Sequence, residues 1–157
     1  MYRNRFFEVL ESPYTPYIAV ELIYAIVTIW FNISLGNLNK QLTHHFDIDK
    51  MITRKDVTIA SHVMSYKDNS SWNYLIFGVV LILIGFMIPI VSSIINKSSY
   101  KKETIKNVIW CIIFIVSVVN FFLIISISQA LLSPIIIATL IMCAVGAIFG
   151  AFAISNT

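Results

Sequence analysis

Charge is what this chain has least of: 11 Lys and Arg and 8 Asp and Glu together make up only 12% of its 157 residues. Soluble domains carry about 25%. Because 58% of the residues are apolar, a water-soluble fold of this size could not hide its apolar surface. The few charges fall almost wholly into short stretches and leave four long apolar runs between them. That segregation, with a mean hydropathy of +0.83, points to a membrane protein.

Other absences narrow the function. Only two cysteines occur, Cys111 and Cys143, both inside apolar runs; they read as small buried residues, not as a disulfide or a thiolate metal site. No basic tract is interleaved with aromatics, so direct nucleic-acid binding is not expected. There is no G-x-S-x-G, P-loop or H-E-x-x-H, and no pair of carboxylates at membrane depth. Neither catalysis nor a cofactor is therefore expected. Glu8, Glu11, Pro13 and Pro16 separate Arg3 and Arg5 from the first apolar run, and no small-residue cleavage site follows it. That run reads as a retained span, not as a signal peptide.

The residues that are present predict an all-α, polytopic membrane protein, with the whole of 1–157 forming one membrane domain. Four transmembrane helices are expected over 17–35, 73–95, 107–128 and 134–154. Each has about the 20 residues that cross roughly 30 Å of hydrocarbon. Helix is the only choice, because an unpaired backbone amide costs several kcal/mol in lipid and these runs lack the alternation of barrel strands. A short amphipathic helix over 2–11, with Tyr2, Phe6, Val9 and Leu10 on one face, is expected to lie in the membrane interface. Between spans one and two, 36–72 is expected to form a small helical cap outside the membrane. Leu35, Leu38, Leu42 and Phe46 continue the first helix into it, and Thr53 with Asp56 resembles a capping box for a helix bearing Val57, Ala60, Val63 and Met64.

Orientation follows from the connector 96–106, which packs Lys97, Lys101, Lys102 and Lys106 beside the membrane. The positive-inside rule makes that side cytoplasmic, with both termini on it. Abundant Ile, Lys and Asn suggest an AT-rich bacterial or phage-derived gene, and so a bacterial inner membrane. The lysines are placed to contact a cytoplasmic protein partner or anionic lipid.

Several side chains stand out within the spans. Glu21, Thr28 and Asn32, with Tyr24 between them, form a polar stripe along span one. Two readings of Glu21 stay open: it lines a water-filled path or faces another helix, or it snorkels to the headgroups and pairs with Arg3 or Arg5. Ser117 and Asn120 in span three read as interhelical hydrogen-bonding groups. Pro89, four residues after Gly85, predicts a kink in span two. Small residues form two stripes, Gly78, Gly85 and Ser92 in span two and Thr139, Cys143, Gly146, Gly150 and Ala153 in span four. Such stripes let helix backbones approach closely, and two of them predict a homo-oligomer. His44, His45, Asp47 and Asp49 cluster at the tip of the cap, without the spacing of a zinc or calcium site.

This order of parts comprises an outer segment after span one, the connector N-K-S-S-Y-K-K-E-T-I-K after span two, and a tight last hairpin at Ser128–Pro134. It resembles four-span membrane components of bacterial anti-phage systems, such as the Kiwa membrane subunit and the phage-exclusion protein RexB. The resemblance covers most of the chain and lies in layout, so it transfers no site residues. It implies a membrane sensor or depolarising element working with a soluble effector. Two other functions fit the same residues. One is an ion-conducting pore or holin-like protein with Glu21, Thr28, Asn32, Ser117 and Asn120 on a central axis. The other is an immunity protein against a pore-forming toxin.

Overall fold

A computed structural model describes residues 12–99 and 103–155. The expected interfacial helix at 2–11 lies outside the described residues, as do Lys101 and Lys102. Among the described residues the secondary structure comprises five helices: α1 (Thr15–His45), α2 (Ile48–Arg54), α3 (Val57–Ser99), α4 (Glu103–Leu131) and α5 (Pro134–Ser155). Three of them, α1, α3 and α4, are long and apolar enough to cross a membrane, and Pro134–Ile148 of α5 is a shorter apolar helix.

The helices outrun the predicted spans. At 31 residues, α1 is about 46 Å long, well beyond the roughly 30 Å of hydrocarbon. It continues past residue 35 because Leu35, Leu38 and Leu42 keep an apolar face that is buried. After α1, the Asp47 carboxylate accepts from Lys50 N at 2.9 Å and caps α2. Lys55, at φ 51°, ends that helix in the left-handed region.

Here the expected capping box needs correcting. Thr53 Oγ1 donates back to Asp49 O at 2.7 Å, within α2. Asp56 alone caps α3, accepting from Thr58 N at 3.0 Å and Ile59 N at 3.2 Å. The left-handed Lys55 turns the chain between the two residues, so they cannot cap reciprocally.

α3 is interrupted at Tyr66–Asn69, where Lys67, Asp68 and Asn69 have φ of 44°, 55° and 64°. Each left-handed residue with a Cβ costs about 1–2 kcal/mol. Three hydrogen bonds hold the break: the buried Ser71 hydroxyl donates to Val63 O at 2.6 Å, the Ser70 hydroxyl to Lys67 O at 2.6 Å, and Lys67 Nζ to Gln41 Oε1 at 2.7 Å. The kink predicted at Pro89 leaves no comparable mark, since the helical φ/ψ of α3 are lost only at Tyr66–Asn69.

The chain divides into two compact units. Unit one is Met1–Trp30 with Leu81–Ile125, and unit two is Phe31–Val80 with Ser126–Thr157. In unit one, Tyr17, Ile109 and Ile113 form a small core flanked by Tyr14, Ile105 and Ile112. Much of its apolar surface faces outward, including Leu22, Ile26, Phe122 and Phe114, the last 70% exposed. Large side chains spread all round a helix in this way belong to a protein solvated by lipid.

Unit two is better filled. Phe31, Leu35, Leu42, Met51, Val63, Met64, Ile127 and Ile135 are fully buried. The Phe31 ring meets Tyr74 and Phe77 at centroid distances of 5.9 and 5.7 Å. The short α2 rests against α5.

Candidate functional site

In unit one the site starts from a missing proton. Pro89 has no N–H, so the Gly85 carbonyl four residues earlier loses its helical donor. Asn120 Nδ2 takes that place, donating to Gly85 O at 3.1 Å. The asparagine is only 1% exposed. In lipid such a replacement is what makes an intrahelical proline tolerable. One turn earlier, the Tyr24 hydroxyl donates to Leu81 O at 3.1 Å. The tyrosine passes over Gly85 so closely that a Cβ there would collide with its hydroxyl and ring, and would meet Ile124 Cδ1 at 3.1 Å. Glycine at 85 is thus required by the crossing of a tyrosine.

Glu21 stands beside this junction. Its carboxylate neighbours the Asn120 side chain, yet both oxygens are buried without a hydrogen-bond partner, and so is Asn120 Oδ1. Arg3 and Arg5, the partners of Glu21 in one of its two sequence readings, lie outside the described residues. Thr28, at 0% exposure, also has an unpartnered Oγ1. Ser117 takes no part, because its hydroxyl donates to Ile113 O of its own helix at 2.8 Å.

Polar residues of unit two are mostly spent on one another. Asn32 Nδ2 donates to Ser126 Oγ at 2.8 Å, and Asn39 Nδ2 donates to Ala130 O at 3.2 Å. Ser133 Oγ donates to Asn39 Oδ1 at 2.9 Å. Asn39 therefore binds the α4–α5 turn through both ends of its amide. Thr139 donates to Ile135 O at 2.8 Å and lies 3.5 Å from Met64 Sδ.

The two small-residue stripes have different fates. In span two, Gly78 and Gly85 are consumed inside the fold: a Cβ on Gly78 would lie 2.7 Å from Leu131 Cδ1 and 2.9 Å from Phe31 Cζ. Ser92 lines an apolar cleft of about 350 Å³ with Tyr17, Ile84, Ile88 and Val91. In α5, Gly146 meets open space and Cys143 is exposed. The surroundings of Gly150 and Ala153 lie outside the described residues.

At the connector, Lys97 is exposed and Lys106 half-buried. The fully buried Asn96 donates to the Lys106 carbonyl at 3.2 Å, closing the turn from α3 to α4. In the cap His44 and His45 are exposed, and the Asp47 carboxylate is committed to its capping bond. Among the described residues no three His, Cys, Asp or Glu stand together as a metal site.

Sequence reasoning missed Asn39, Gln41 and Asn96. Asn39 was within reach, being seven residues after Asn32 and so on the same face of α1. Nothing in the sequence marks Asn96 out from its neighbours. No protein-family model, curated protein or solved structure matches the chain.

Proposed function

We propose that this chain is a non-enzymatic component of a bacterial inner membrane that couples an event at the outer surface to a cytoplasmic partner. It spans the bilayer four times with both termini inside, α5 supplying the fourth span, and it acts in anti-phage defence as its layout suggests. The observation that carries this reading is the continuity of α1, one unbroken helix from Thr15 to His45. Its outer part holds Leu35, Leu38 and Leu42 in a core, and its inner part carries the membrane-depth residues Tyr24 and Glu21. The same helix thus supplies both part of the cap and the first span. The open face of α5 at Cys143 and Gly146 serves contact with further copies of the chain. The lysines of 96–106 meet the partner.

A pore in a single copy has less support. Asn32 and Asn120, two of the side chains that would line it, are committed to Ser126 and to the Gly85 carbonyl.

The test is co-purification of the full-length protein in mild detergent from cells challenged with phage, with Lys101→Glu plus Lys102→Glu as the comparison. A soluble partner held by the natural chain and lost from the charge-reversed one is expected. Identical partners on both would remove the connector as a docking site, and ion flux through the protein alone in liposomes would favour the pore.

A further inference from the structure

Unit one contains an imbalance that its described side chains do not resolve. Around the Pro89 junction three acceptor oxygens, Glu21 Oε1, Glu21 Oε2 and Asn120 Oδ1, are buried and unbonded. Of the donors beside them, the Tyr24 hydroxyl is engaged with Leu81 O and one of the two amide hydrogens of Asn120 Nδ2 with Gly85 O, which leaves a single amide hydrogen for three acceptor oxygens. The Tyr24 hydroxyl cannot turn to Glu21 without abandoning a backbone carbonyl in an apolar environment, where an unpaired polar group is costly, and the second Asn120 hydrogen cannot serve both carboxylate oxygens.

Among the described residues the facing helices supply no fixed cation at this depth. Residues 81–95 and 109–125, which supply the facing helices, contain no Lys, Arg, His, Asp or Glu. Among the described residues, the titratable groups of the elements packed here are Tyr17, one turn before Glu21 on α1 and buried, Tyr24 one turn after it, and the exposed thiol of Cys111 on α4. Lys97, Glu103 and Lys106 stand at the ends of α3 and α4.

We propose that Glu21 is a proton-binding site, its carboxyl group taking up an exchangeable proton and donating it in a hydrogen bond to Asn120 Oδ1. One proton converts an acceptor into a donor and satisfies two of the three orphaned oxygens at once. A metal cation is the poorer fit. Hard cations take about six or more oxygen ligands, and Glu21 and Asn120 offer three unbonded oxygens here. The role of Asn120 is then double: its amide nitrogen repairs the gap left by Pro89, and its oxygen receives the proton of Glu21. This goes beyond the proposed coupling function and does not depend on it.

The test is infrared difference spectroscopy of the full-length protein in lipid vesicles, acid minus alkaline. Subtracting the spectrum of Glu21→Gln isolates Glu21 from the solvated carboxyls. A carboxylic acid carbonyl band present in the natural protein and absent from E21Q is expected. In Asn120→Leu the band moves to the higher frequency of a carboxyl with no acceptor. No Glu21 band at any pH would overturn the proposal, as would a carboxylate band that responds to exchanging sodium for choline but not to pH.

A second measurement on the natural protein covers the case that E21Q does not fold. A lipid-soluble carbodiimide reacts with a carboxyl group that carries a proton. The proton passes to a carbodiimide nitrogen, the carboxylate oxygen bonds to the central carbon, and acyl migration to nitrogen leaves an N-acylurea with nothing released. Mass spectrometry should find this adduct on the peptide containing Glu21, with yield falling as pH rises. A Glu21 peptide that stays unmodified at every pH would contradict the proposal.

Discussion

Units one and two use the same polar residue types in opposite ways. In unit two, Asn39 satisfies both ends of its amide with Ala130 and Ser133, Asn32 finds Ser126, and Lys67 finds Gln41. Among its described side chains, Asn32 Oδ1 is the one buried polar atom left over. In unit one, Asn120 and Tyr24 turn to backbone carbonyls, and the oxygens of Glu21 and Asn120, which can only accept when the carboxyl is ionised, are left in excess. Matched donors and acceptors lock helices together. A surplus of acceptors leaves a place for a proton.

The sharpest way to break this contrast is at the glycines. Gly85→Leu drives a side chain into Tyr24 and Ile124, and overpacking of this kind costs about 3 kcal/mol. Thermal unfolding in detergent should show a large fall in midpoint or no folded protein at all. Gly146→Leu, where open space awaits the side chain, should leave the midpoint unchanged. Equal loss in both would mean that the tyrosine crossing is not what requires glycine at 85.

Next in size is the proline repair. Asn120→Leu strands the Gly85 carbonyl, at a cost of about 1–3 kcal/mol. In a Pro89→Ala background the backbone N–H returns and the same substitution should cost distinctly less, so a double-mutant cycle should show coupling. Additive effects would separate Asn120 from Pro89. In unit two, Asn39→Ala should cost about 0.6–2 kcal/mol, the range of interhelical hydrogen bonds in membranes, and Ser133→Ala should cost little more once Asn39 is gone.

The smallest expected effect on the fold comes from α5. Gly146→Leu should leave protomer stability within about 0.5 kcal/mol, as surface changes do, while lowering the oligomer mass seen by native mass spectrometry. Unchanged mass would show that copies do not meet on this face.

Much of this molecule was legible in its sequence. Apolar runs with charges pushed to their ends determine long helices whatever the details of packing, because lipid permits little else. The extension of α1 into the cap also followed from the spacing of Leu35, Leu38 and Leu42. The polar stripe of Glu21, Tyr24, Thr28 and Asn32 was visible as a face, but which atom pairs with which was not. Hydrogen-bond pairing depends on the relative height of neighbouring helices, which no local pattern encodes.

The same gap explains the glycines. Gly78 and Gly146 look alike in their stripes, yet one is pressed against Leu131 and Phe31 and the other meets nothing. The break at Tyr66–Asn69 had no glycine or proline to announce it. It is held from outside, by Gln41 and by the Ser71 hydroxyl.

Hydrocarbon as the solvent of the outward apolar faces underlies every step, and its most direct test is residue by residue. Single cysteines at Phe114, Phe122 and Glu103, in a chain with Cys111 and Cys143 replaced by Ala, should be challenged in sealed and detergent-opened vesicles with a membrane-impermeant maleimide. The account predicts that Phe114→Cys and Phe122→Cys stay unlabelled in intact membranes and react only after denaturation, while Glu103→Cys is labelled from one side. Ready labelling of Phe114→Cys and Phe122→Cys in the absence of denaturant would place those faces in water and contradict it.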